Sequence, residues 1–132
     1  AALIGGAAGT FVDESVLDTP TGFDSLKEKG AILGSGAVMV MDESRYLYDM
    51  MHSILEFFQH KSCGKCVPCR IGTKMLVMML EEVKEKKNGN RTEMLEKMKA
   101  EAQYMEKTSL CPLGGSPILP IGSAIQYFKN IF

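Results

Sequence analysis

Cys63, Cys66 and Cys69 form an unbroken C-x2-C-x2-C run, and the one remaining cysteine, Cys111, lies in a distant segment directly before Pro112. Three thiolates at two-residue gaps, joined by a fourth from elsewhere, is a ligand pattern for a [4Fe–4S] cube. The cube offers one iron to each of four sulfurs. A tight loop reaches three corners, and the fourth ligand must arrive from another part of the chain. All four cysteines are used and none is left over. The chemistry expected of such a site is one-electron transfer. Structural zinc could use the same four thiolates, although zinc sites are usually built from two separated C-x2-C pairs. Two disulfides are allowed on count alone, but the three-cysteine run pairs awkwardly. A thiol redox C-x-x-C pair leaves Cys69 and Cys111 unexplained.

The flanking residues suit a cluster loop. Gly64 lets the backbone bend close to an inorganic core without a Cβ. Pro68 presets φ for the start of a helix, which puts Cys69 near a helix N-terminus, where free N–H groups stabilise a thiolate. Ser62, Lys65 and Arg70 complete the surround. Lys61, Lys65 and Arg70 place positive charge around an anionic centre, which favours its reduced state and raises its potential.

The elements that must position this loop differ between the two parts of the chain. Residues 1–42 are rich in Gly, Thr, Pro and Val. Ala31–Leu33 and Ala37–Met41 are short apolar runs around Gly34-Ser35-Gly36 and are expected as strands about a turn. Gly5-Gly6-Ala7-Ala8-Gly9 is expected as another tight turn, not a dinucleotide-binding fingerprint, because no strand and helix frame it. So few strands do not close a sheet, and the chain starts at Ala1, so a fragment or processed product is expected.

From Asp42 onward the period becomes helical. A first helix over Tyr46–Gln59 carries Leu47, Met50, Met51, Ile54, Leu55 and Phe58 on one face. A second runs from Pro68 to about Lys86, with Ile71, Met75, Met78, Met79 and Val83 as its stripe. Asn90 and Glu93 resemble a capping box for a third helix, Thr92 to about Lys107, lined inside by Met94, Met98, Ala102 and Met105. A last helix over about Gly122–Phe132 is expected to bury Ile125, Phe128 and Phe132. The fold class expected is α+β and mainly α, its helical part a four-helix bundle.

Plain readings suit the other reactive side chains. His60 is expected as an exposed residue at a helix end, and His52 as a packing residue. Most of the ten methionines fall on inner helix faces, where Met fills irregular gaps. Lys84–Lys87 with Arg91 are expected as a solvated helix end. The net charge of -1 gives no reason to expect nucleic acid as a partner. The longest apolar run, Met75–Leu80, falls far short of the roughly 20 residues of a membrane span. Cysteines without a spare pair, and no signal-like start, point to the cytoplasm, with room for a peripheral place on a membrane complex.

The segments LDTPTGFDSLKEKGAILGSGAVMVMDE (17–43), SCGKCVPCRIGT (62–73) and SLCPLGGSPILPIGSAIQYF (109–128) together resemble the flavin- and NADH-binding subunit of respiratory complex I. They are also similar to its relatives, the β subunits of NAD(P)-dependent iron hydrogenases and of NAD-linked formate dehydrogenases. The resemblance implies a β-grasp (SLBB, ubiquitin-like) domain, of which residues 1–42 would be the later part. Residues 43–132 would be a helical bundle holding one [4Fe–4S] cluster on Cys63, Cys66, Cys69 and Cys111. It further implies FMN and NAD(P) on an upstream domain that this chain lacks, and other iron–sulfur subunits as partners. The expected function is an electron relay between that flavin and further iron–sulfur centres, not catalytic by itself; the alternative is a zinc-stapled interaction module. The chain departs from the family at Lys61, where Glu is common, and at Pro112, where Gly or Ala is usual. Pro120 matches, while the upstream proline is displaced to Pro117.

Overall fold

The Gly- and Ala-rich start of the chain folds back on itself as a hairpin. In the computed structural model, which describes residues 1–85, 89–128 and 130 (89 and 90 by backbone alone), β1 (Ala2–Ile4) pairs antiparallel with β2 (Thr10–Val12), and Leu3 faces Phe11. On its other side β1 pairs antiparallel with β3 (Val38–Val40), placing Leu3 opposite Met39. The sheet order is β2-β1-β3. Alternate residues of a strand point to opposite faces, and the two faces here have different fates. Leu3 and Phe11 join the large hydrophobic cluster of the helices. Ala2, Ile4 and Val12 meet Val16, Leu26 and Ala31 in a smaller one.

Residues 5–9 turn the hairpin, as expected. The strand expected over Ala37–Met41 is β3. The strand expected over Ala31–Leu33 does not form. The N–H of Ala31 instead closes α1 (Phe23–Glu28) by donating to Leu26 O at 2.8 Å, and that of Ile32 goes to Thr10 Oγ1 at 2.9 Å. These amides are used locally and are not available for a sheet ladder. β2 and α1 were not expected, since a strand of three residues and a helix of six are too short to show a period.

Four longer helices follow. α2 (Leu47–Lys61) buries Leu47, Met51, Ile54, Leu55 and Phe58, the expected face. α3 (Val67–Glu85) begins with Pro68 as its second residue, as Pro's missing N–H allows. Its buried stripe is Cys69, Gly72, Thr73, Leu76, Val77, Leu80 and Val83. Of the expected stripe, Val83 is buried and Met79 packs partly against the core, but Ile71, Met75 and Met78 are exposed. A small residue and a hydroxyl hide the true face from a hydrophobicity count. Gly72 sits against Met105 of α4, and Thr73 satisfies its hydroxyl within the helix by donating to Cys69 O at 2.7 Å.

α4 (Gly89–Thr108) starts ahead of the expected Thr92 and buries Met94, Met98, Ala102 and Met105, as anticipated. The expected capping box depends on the Asn90 side chain, which lies outside the described residues. A short α5 (Pro112–Gly115), not anticipated, precedes α6 (Ile118–Phe128). α6 begins earlier than expected; it buries Ile125 and packs Phe128 against the core. Phe132 lies outside the described residues.

α3 packs between α2 and α4, and α6 lies on α4 and β2. Ser123 of α6 joins helix and sheet: its Oγ accepts from the N–H of fully buried Phe11 at 2.8 Å and donates to Leu119 O at 2.7 Å. Met41, Met51, Met94, Met98 and Met105 are buried, whereas Met39, Met75 and Met78 face outward. Among the described residues, no helix is long and apolar enough to cross a membrane.

Candidate metal centre

The loop between α2 and α3 is shaped by its own hydrogen bonds. α2 ends at Ser62, whose N–H donates to Phe58 O at 3.0 Å and whose backbone leaves the helix in an extended conformation. Gly64 follows with φ of 76°, a left-handed turn that side chains rarely adopt. The Gly64 N–H donates to Ser62 Oγ at 3.3 Å, and Arg70 Nη1 reaches back from α3 to Gly64 O. The Cys66 carbonyl accepts the Arg70 N–H at 3.0 Å, starting α3. Cys69 is the third residue of α3 and is 4% exposed.

Cys111 reaches the same place through α5. It stands in extended backbone just before Pro112, and its carbonyl accepts the Gly114 N–H at 3.2 Å. Gly114 brings this turn against the start of α3. A Cβ added there would lie 3.0 Å from Cys69 Cβ and 2.6 Å from Ser109 Cβ, so a larger residue would push α5 off Cys69.

The result is a recess of about 290 Å³ lined by all four cysteines. Lys61, Ser62 and Lys65 line one side of it, and Leu110 and Leu113 the other. Cys69 closes the inner end, Cys66 is half-buried, and Cys63 and Cys111 are exposed at the mouth. Of the surrounding residues named from the sequence, Ser62 and Lys65 face the recess. Gly64 and Arg70 brace the loop behind it, and Pro68 opens α3. Leu110, Leu113 and Gly114 were missed; the glycine pair after Cys111-Pro112-Leu113 was the one available sign of close backbone approach.

The donors are polarised by nearby dipoles. The backbone N–H of Leu110, and then that of Cys69, point at the Cys66 thiol and hold its pKa below the 9.0 of an ordinary thiol. Leu110 belongs to the turn before α5, so this contact also joins the two ligand-bearing segments. Ser62 Oγ lies 3.3 Å from Cys69 Sγ. Its lone pair already receives the Gly64 N–H, which leaves its own O–H free to donate to Cys69 once that sulfur is a thiolate.

No three His, Cys, Asp or Glu side chains among the described residues converge as they would on one ion. The histidines stand apart: His60 is exposed and outside the recess. His52 stacks on Tyr48 and bridges Glu56 at 3.5 Å and Glu81 at 3.3 Å.

Known proteins share this arrangement of chain. Over 126 residues the chain is 35% identical to the NADP-reducing hydrogenase subunit HndC of Solidesulfovibrio fructosivorans, covering 96% of this chain and 25% of that one. It is 32% identical over 132 residues to an NADH-quinone oxidoreductase subunit of Rhizobium meliloti, covering 100% of this chain and 31% of the relative. An NAD+-reducing [NiFe]-hydrogenase in its H2-reduced state superposes with a TM-score of 0.81 at 28% identity, over 99% of this chain and 22% of the solved one. The chain thus spans only a quarter to a third of the length of these curated relatives. Residues 49–132 match the family model described as the NADH-ubiquinone oxidoreductase-F iron-sulfur binding region. With all four cysteines inside the matched span, the chain belongs to that iron–sulfur family.

Proposed function

We propose that the chain is the electron-transfer module of an NAD(P)-linked flavin and iron–sulfur oxidoreductase subunit. Cys63, Cys66, Cys69 and Cys111 would hold one [4Fe–4S] cluster between a flavin, carried by sequence outside this chain, and the iron–sulfur centres of other subunits. The observation that carries this is the recess itself: four thiols from two distant segments line one space, with no carboxylate or imidazole among the described lining residues. An all-thiol set suits an iron–sulfur core. The C-x2-C-x2-C run with one distant cysteine also favours the cluster over zinc, whose sites are usually built from two separated pairs. Four thiolates on one zinc crowd around it at about 2.3 Å, whereas a cube gives each sulfur its own iron, further apart.

When bound, the cluster supplies a site that takes up and releases one electron at a time. The chain's residues do the rest. Lys61 and Lys65 offset the negative charge of four thiolates. Ser62 and the N–H groups of Leu110 and Cys69 donate toward sulfur, which favours the more reduced state. Leu110 and Leu113 wall one side with apolar surface and limit water there, while Cys63 and Cys111 leave the mouth open for exchange with a partner. Residues 1–42 would be the later part of a β-grasp domain and 43–132 the bundle domain, the relatives' greater length accommodating the flavin and nucleotide sites.

Iron and acid-labile sulfide per chain, measured on anaerobically purified protein together with an EPR spectrum after dithionite, test this reading. About four of each, lost in Cys63→Ser and in Cys111→Ser, is the expected result. Stoichiometric zinc that persists after anaerobic reconstitution with iron and sulfide would overturn it in favour of a zinc-stapled interaction module.

A further inference from the structure

Two of the four cysteines are paired by the start of a helix. Cys66 lies immediately before α3, and Cys69 is that helix's third residue, with Val67 and Pro68 between them. The Cys66 carbonyl accepts the Arg70 N–H at 3.0 Å, and Pro68 fixes φ within the first turn. A side chain just ahead of a helix can reach the N–H of the third helical residue. Here the Cys69 N–H points at the Cys66 sulfur, and the Cys69 thiol is itself hydrogen-bonded to that sulfur. The helix start therefore holds the two sulfurs in contact.

The two differ in access. Cys66 is half-buried and faces the recess, whereas Cys69 is 4% exposed and closes its inner end. A small molecule entering this space of about 290 Å³ meets the Cys66 sulfur before that of Cys69. Cys63 is set apart from Cys66 by the left-handed turn at Gly64, and Cys111 arrives on a different segment. An outer and an inner sulfur, two residues apart at a helix start, suit thiol–disulfide exchange: the outer one attacks and the inner one resolves.

We propose that Cys66 and Cys69 form a dithiol exchange site, at which the metal-free chain reduces a low-molecular-weight disulfide and closes its own Cys66–Cys69 bond. In the first step the Cys66 thiolate attacks one sulfur of the incoming disulfide. A mixed disulfide forms, the incoming S–S bond breaks, and one thiolate leaves. In the second step the Cys69 sulfur attacks that of Cys66. The Cys66–Cys69 bond forms, the mixed bond breaks, and a second thiolate leaves. The protons given up by Cys66 and Cys69 end on the two departing thiolates. The cysteine pair is oxidised by two electrons, and the small disulfide is reduced to two thiols. A dithiol reverses this product, whereas sulfinic and sulfonic acids are not recovered in that way. While it lasts, the bond removes two of the four thiols that could hold a metal. The site goes beyond the electron-transfer reading and does not depend on which metal the four thiols bind.

The test uses the full chain, stripped of metal with a chelator under reduction, desalted anaerobically and checked for helix by circular dichroism. Glutathione disulfide is the probe. After a timed reaction, free thiols are blocked with iodoacetamide and tryptic peptides are weighed. Cleavage after Lys65 and Arg70 leaves Cys66 and Cys69 together in residues 66–70 and Cys63 in another peptide. The expected product is a bond within residues 66–70, with Cys63 and Cys111 alkylated and both thiols restored by dithiothreitol. Cys69→Ser should stop with glutathione held on Cys66. Cys66→Ser should release glutathione about tenfold more slowly than the parent, while Cys63→Ser should match the parent. A bond to Cys63 or Cys111 as the main product would overturn the exchange site. So would an unslowed Cys66→Ser chain, or glutathione on Cys63 and not on Cys66 in the Cys69→Ser chain. Iron and sulfide content bears on the electron-transfer reading alone, so the two readings fail separately.

Discussion

Replacing Ser62 by Ala should lower the midpoint potential of the reconstituted centre. Ser62 Oγ is 3.3 Å from Cys69 Sγ and receives the Gly64 N–H at 3.3 Å, so against a thiolate its proton has one direction to go. A hydrogen bond to a charged acceptor contributes about 1.5–3 kcal/mol. It exists in both redox states, so only its strengthening on reduction moves the potential. Taking that increment as about 1 kcal/mol, and a tenfold equilibrium change as about 1.4 kcal/mol or about 59 mV for one electron, the shift is about 40 mV downward. Ser62 is only half-buried, which keeps the increment near this low figure. Ser62→Thr retains the hydroxyl and should stay close to the parent value. The assay is a potentiometric EPR titration on samples matched for iron and sulfide. A midpoint in Ser62→Ala that is unchanged or raised, with cluster content intact, would refute the assignment of Ser62 as donor to Cys69.

Three further outcomes follow from the same geometry. Gly114→Val should drive α5 from Cys69 at about 1–3 kcal/mol of strain; iron per chain should drop sharply while far-UV circular dichroism keeps its helical signal, and full iron content would contradict the packing argument. In metal-free protein, alkylation of Cys66 should show a pH midpoint below 9.0. Because its folded pKa is lowered, the stability this thiolate contributes is fully present above the unfolded value and is lost as pH falls through the folded one. An alkylation midpoint at or above 9.0 would remove the Leu110 contact from the account. Ser123→Ala should orphan the buried Phe11 N–H and cost about 1–3 kcal/mol, read from urea unfolding; a change below about 0.5 kcal/mol would mean the amide finds another partner.

The four cysteines that line the recess were the most legible part of this chain because their evidence is chemical identity, and thiol spacing survives any error in the elements around it. The faces of α2 and α4 were legible for a related reason. Leu47, Met51, Ile54, Leu55 and Phe58, and Met94, Met98, Ala102 and Met105, repeat at the helical period with large or clearly apolar side chains. α3 misled because two of its inward positions are Gly72 and Thr73, while Ile71, Met75 and Met78 carry more apolar surface and face out. The turn of the hairpin was legible, but its strand pairing was not, for want of length. Strands of three residues have no measurable alternation, and their pairing depends on partners that lie far apart in sequence, as Ala2 does from Val40.

Residue type and order were enough to single out the four cysteines proposed as ligands, the helix start at Pro68, and the separation of cations from carboxylates along the cysteine-bearing segments. No packing can change those. Three-dimensional packing was needed to show which face of α3 is inside, that Gly114 lets α5 close on Cys69, and that Leu110 directs its N–H at Cys66. Each of these is a contact between segments many residues apart, set by the shapes of both partners, and neither segment records it alone.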